Sequence, residues 1–157
     1  MNASPLLFSA LIGLVASARS MTPMAALAAA RLAHRRAPGR LLLLDRPVFR
    51  WGALLMGVGE LFGDKMKSAP DRTVAPGMAA RVLSAGIAGS ALAPRERARL
   101  GAVLAVLAAV PAAHLTLAVR KRAMARIGQT RSGVIEDALV LVGAAAVTAL
   151  GLRRRIN

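Results

Sequence analysis

The amino-acid sequence predicts an all-α, polytopic helical membrane protein, and three observations carry that expectation. Four stretches, residues 1–18, 82–94, 100–119 and 138–152, hold no formal charge in a chain of 157 residues, and the longest approaches the ~20 apolar residues that cross a bilayer as a helix. Hydrophobic residues make up 56% of the chain and mean hydropathy is +0.54. That is too apolar for a small domain in which nearly every helix must show a polar face to water. Finally, the 22 Lys+Arg outnumber the 7 Asp+Glu and cluster between the apolar runs, at 31–50, 95–99, 120–131 and 153–155, as juxtamembrane loops do beside anionic headgroups. A net charge of +15 in a soluble chain would suggest nucleic acid. Aromatic residues, at 3%, offer no stacking platform for bases. With 0 Cys, disulfides and thiolate metal sites are excluded.

A single integral membrane domain over 1–157 is expected, with five to six helical segments near 5–18, 22–35, 49–66, 77–94, 97–122 and 132–152. The first has no Lys or Arg before its apolar run, so it reads as a retained helix despite the cleavage-like Ala16-Ser17-Ala18. In the second, Thr22 suits an N-cap and Pro23 a first-turn position. The third is a Gly- and Leu-rich run carrying two acids. Pro76 and Pro94 frame the fourth, and the fifth contains the longest uncharged run. The sixth opens with Glu136 and Asp137, which suit a helix N-terminus, with Ser132 as a candidate cap. Segments one, two and four are short: about 14 residues rise about 21 Å against a ~30 Å hydrocarbon layer. Such segments tilt, thin the bilayer or enter it as broken half-helices within the protein.

Short segments in corresponding places are also a mark of inverted repeats. Gly13-x-x-x-Ser17 matches Gly86-x-x-x-Ser90, Pro23 matches Pro94, and Gly57-Val58-x-Glu60 matches Gly133-Val134-x-Glu136. A duplication would divide the chain into halves 1–73 and 74–157 of three segments each, inverted because three is odd. Six crossings would place 12 and 10 of the 22 Lys+Arg on the two sides, which leaves orientation open.

Polar chemistry enters the apolar sequence in three places. At Arg19-Ser20-Met21-Thr22-Pro23 one helix is expected to stop and another to start, with Arg19 turned inward. Free N–H groups of the second helix and the guanidinium could then hold an anion or carboxylate; the alternative is an ordinary turn with Arg19 at the headgroups. In Gly57-Val58-Gly59-Glu60-Leu61-Phe62-Gly63-Asp64-Lys65, Glu60 and Asp64 are four apart and share a helical face. Gly52, Gly59 and Gly63 supply a smooth adjoining face for helix packing. Acids there either bind or carry an ion or proton, or form a buried pair with Arg19, Lys65 or Arg72 that fixes helix register. Glu136 is the counterpart of Glu60 if the repeat is real, and otherwise serves a helix N-terminus. His34 and His114 lack metal-ligand spacing, and no phosphate loop or nucleophile elbow is present. Neither a metal, a cofactor nor an enzymatic activity is expected.

The motifs Arg19-Ser20-Met21-Thr22 in the first break and Gly59-Glu60-x-x-x-Asp64-Lys65, followed by Pro70-x-Arg72-Thr73, together resemble a family of uncharacterised bacterial integral membrane proteins defined by a domain of unknown function. The resemblance covers most of the chain. Lys67 stands where that family's pattern has a proline shortly after Asp-Lys. The resemblance implies a multi-pass fold in the bacterial inner (cytoplasmic) membrane and supplies no activity or cofactor.

The expected function is a small channel or transporter for an ion, proton or small polar solute. Arg19, Ser20, Thr22, Glu60, Asp64, Lys65, Arg72 and Glu136 would form its binding cluster. The alternative is a structural or accessory subunit that packs against a partner membrane protein. Expected partners are the bilayer, anionic lipids at the basic loops, and further copies of the chain, with no nucleic acid. Solvent access to Glu60 separates the two functions: a watered cavity favours transport, a dry and fully paired cluster favours a scaffold.

Overall fold

A computed structural model describes residues 5–33, 42–63 and 74–153. Among them there is no strand. The helices are α1 (Pro5–Ala18), α2 (Thr22–Leu32), the single turn α3 (Leu42–Asp45), α4 (Pro47–Gly63), α5 (Ala75–Leu92), α6 (Ala98–Ile127) and α7 (Gln129–Arg153), with a 3-10 turn at Arg95–Arg97 leading into α6. Each of the six expected segments has its helix: the first keeps its bounds and the second its start, the expected ends of the second and third, at 35 and 66, lie outside the described residues, and the other ends shift by one to five residues. Helix α6 runs five residues past the expected 122, because its basic end continues the helix without a breaker until Gly128. There φ is +84°, a conformation that glycine adopts without steric cost.

The core combines larger side chains, among them Phe8, Ile12, Leu27 and Leu92, with a seam of small ones. On α6 the buried residues are Gly101, Ala105, Ala109 and Ala113, four apart and therefore on one stripe. Helices α1 and α5 pack on this stripe so closely that side chains are excluded: a Cβ on Gly13 would lie 2.1 Å from the Ala105 carbonyl oxygen, and one on Gly101 would lie 2.6 Å from the Gly89 carbonyl oxygen. Ser9 ties α1 to α5 by donating its hydroxyl to the Gly89 carbonyl at 2.8 Å. This is small-residue packing with an interhelical hydrogen bond. Helix α2 packs against α4 and α7, and Gly57 of α4 meets the Ala25 side chain. On the expected packing face, a Cβ added at Gly52, Gly59 or Gly63 would meet no described atom of another element within 4 Å; the close approach uses Gly57, on another face of the helix.

Many large apolar side chains nevertheless lie outside. Val103, Leu107, Leu115 and Val119 of α6, Leu139 and Val142 of α7, and Trp51, Leu55 and Phe62 of α4 are exposed. Two helical stretches, Arg95–Ile127 and Gln129–Leu152, are long and apolar enough to cross a membrane, with mean hydropathies of 2.2 and 1.8 over their best 18 residues; only 17% and 22% of those windows are buried.

Candidate functional site

The chain breaks between α1 and α2, and backbone groups freed there are met by side chains from two other helices, α4 and α5. On the α2 side, the Glu60 carboxylate of α4 accepts hydrogen bonds from the Ser20 N–H at 2.6 Å, the Ser20 hydroxyl at 2.7 Å and the Met21 N–H at 2.8 Å. A carboxylate at a helix N-terminus meets donors and a favourable dipole together. On the α1 side, Arg81 of α5 donates its Nε to the Ser17 carbonyl at 3.1 Å and another nitrogen to the Gly77 carbonyl at 2.9 Å. Orphan groups at both helix ends are thereby satisfied.

Arg19 lies between these ends with 0% of its surface exposed. One terminal nitrogen donates to the Glu60 main-chain carbonyl at 2.9 Å, and the other pairs with the Asp137 carboxylate of α7. Four helices thus converge on the break: α4 through Glu60, α5 through Arg81, α7 through Asp137, and α2 through its own first turn.

The structure sorts the expected residues as follows. Arg19, Ser20 and Glu60 come together, though Arg19 meets the main chain of Glu60 and takes Asp137 as its carboxylate. Thr22 is not the cap. Met21 occupies that position without a side-chain hydrogen bond, and Thr22 is buried one residue inside the helix, where Glu60 has already taken the donors. Asp64, Lys65 and Arg72, like His34, lie outside the described residues. Glu136 points elsewhere and pairs with Arg120 of α6 at 2.9 Å, so Glu60 and Glu136 hold different posts in their respective halves. Ser132 does not cap α7, which begins three residues earlier; its hydroxyl donates to the carbonyls of Gly128 and Gln129.

Two further residues belong to the site. Asp137 suits a helix terminus by its place in the sequence, yet adjacent residues on a helix point ~100° apart, so it and Glu136 address different partners. Arg81 is the only charged residue within α5, and a lone cation in an apolar helix is the signal that calls for a partner inside the protein. No cluster of three or more His, Asp or Glu able to hold a metal occurs among the described residues.

Two apolar grooves flank this region. One, of about 470 Å³, is floored by the alanines of α2 between α4 and α7; the other, of about 350 Å³, runs between α6 and α7. Neither is lined by Arg19, Ser20, Glu60 or Asp137. The chain matches no family model, no curated protein and no solved structure.

Proposed function

We propose that this chain is a non-enzymatic, multi-pass membrane protein of structural or accessory type, whose polar cluster clamps a broken helix rather than conducting a solute. Membrane placement is supported by the number of large apolar side chains left outside: leucines and valines of α4, α6 and α7 are exposed, while the stripe by which α6 packs is alanine and glycine. A soluble protein buries most such groups, because that burial is its main stabilisation. The long helices α6 and α7 are mostly unburied, unlike a core helix of a soluble protein. Assignment to the bacterial inner membrane follows the family resemblance, and the exposed apolar faces suit a partner helix or a second copy.

The clamp reading rests on one observation. Arg19 is fully buried with Asp137 and the Glu60 carbonyl on its two terminal nitrogens, while both Glu60 oxygens are held by the start of α2. Such groups have their charge and hydrogen bonds met inside the protein. The transport reading keeps one point in its favour, that Glu60 is partly exposed at a helix break. Reconstituted vesicles decide between them. For a clamp, wild type and Glu60→Gln both leave proton, alkali-cation and chloride flux at the level of empty vesicles, while Glu60→Gln melts at lower temperature in detergent. A flux in wild type that Glu60→Gln alters overturns the clamp and restores the transporter.

A further inference from the structure

The end of α6 and the start of α7 carry a feature that the clamp does not use. Between them runs the apolar groove of about 350 Å³, walled by Leu115, Val119, Ala123 and Ile127 of α6 and by Ile135 and Leu139 of α7. These residues are four apart on each helix and form continuous stripes. At the elbow end the surroundings turn strongly basic. Lys121, Arg122, Arg126 and Arg131 are exposed there, and Arg131 stands one turn before Ile135 on the same stripe. Arg120 lines the groove itself, held at 2.9 Å by Glu136.

Counter-charge is scarce in this region. No acidic residue occurs between Glu96 and Glu136, and the two acids that follow, Glu136 and Asp137, are engaged by Arg120 and Arg19. An apolar channel ending in a cluster of cations matches one kind of occupant, an amphiphile with an acyl chain and an anionic head. Clusters of this size at a membrane surface attract anionic lipid, and the groove adds a place for the chain that an unstructured basic loop lacks.

We infer that the α6–α7 elbow is a binding site for an anionic phospholipid, with an acyl chain in the groove and the phosphate among Arg122, Arg126 and Arg131. The inference rests on the membrane placement proposed above. It goes beyond a general attraction of basic loops to headgroups, because it names one groove and excludes the second basic cluster, Arg95, Arg97 and Arg99 with Glu96 among them, at the other end of α6.

The test uses the full chain extracted from liposomes of equal parts phosphatidylglycerol and phosphatidylcholine, with the retained lipids counted by mass. Wild type retains phosphatidylglycerol in excess. The triple variant Arg122→Gln, Arg126→Gln, Arg131→Gln weakens that retention about fivefold per arginine, on the order of a hundredfold in all. The matched variant Arg95→Gln, Arg97→Gln, Arg99→Gln, with the same loss of charge, stays near wild type. Ala123→Trp, which fills the groove without touching charge, also lowers retention. Equal losses in the two triple variants, or no excess of phosphatidylglycerol in wild type, overturn the site while leaving membrane placement standing. A chain that liposomes do not hold at all removes membrane placement and the site with it. Because the chain has 0 Cys, Ile127→Cys gives a clean check on a rival occupant: efficient disulfide-linked dimers in the bilayer would assign the groove to a second copy and overturn the lipid.

Discussion

The break between α1 and α2 and the elbow between α6 and α7 are both places where an apolar path changes direction, and they handle polar groups in opposite ways. At the break, both terminal nitrogens of Arg19 and both oxygens of Glu60 are engaged within the protein. At the elbow, a glycine with φ of +84° turns the chain, and the cations around it face outward. The difference is one of depth. A guanidinium with a side-chain exposure of 1% must bring its own counter-ion, whereas arginines at an interface can use headgroups and water.

The sharpest way to break this contrast is to remove the counter-ion at depth. Asp137→Ala leaves the Arg19 charge buried without its carboxylate and is expected to destabilise the protein by about 3–5 kcal/mol, read from denaturant unfolding in micelles. Replacing both partners, as Arg19→Met with Asp137→Leu, should recover most of that loss. If the single and double variants are equally unstable, the damage comes from packing and the charge argument fails.

A smaller effect is expected at the elbow. Gly128→Ala forces a Cβ onto a positive-φ residue with extended ψ, at a cost of roughly 1–3 kcal/mol, although no described atom lies within 4 Å of the added carbon. The strain is purely conformational, so hydrogen exchange should quicken in the first turn of α7 and stay unchanged at Ser20 and Met21. Quickening at both places would mean that the break and elbow are a single cooperative unit.

The smallest effect sharpens the dependence on depth. Arg31 and Asp45 also pair, with side-chain exposures of 19% and 49%. Arg31→Ala should change stability by about 0–1 kcal/mol, and less in high salt. A loss approaching that of Asp137→Ala would show that burial does not separate these pairs.

How much of this was legible in advance differs from residue to residue. The interruption at Arg19 to Pro23 stood out because a charge, two hydroxyls and a proline cut one long apolar stretch. Glu60 stood out because an acid among glycines and leucines is costly in a membrane segment. Thr22 misled for a local reason: it has the right side chain for a cap, and nothing nearby in sequence reveals that Glu60, 39 residues from Met21, arrives first. Gly57 and Gly59 look alike in sequence, yet only the first meets a neighbour.

By itself the sequence determined the helical class, the approximate extents of the segments, the break and the basic elbow. These follow from local patterning: the period of apolar residues, the positions of Pro and Gly, and the cost of charge in an apolar run. Tertiary structure alone decided the pairings. Arg19 finds Asp137 from 118 residues away, Arg81 finds Ser17 from 64 away, and Glu136, one residue before Asp137, serves Arg120 instead. Any of several acids could have neutralised Arg19 on grounds of charge. The choice was made by close packing between helices, of Gly13 on Ala105, Gly89 on Gly101 and Gly151 of α7 against Phe8 and Leu92, which sets which side chains come within reach.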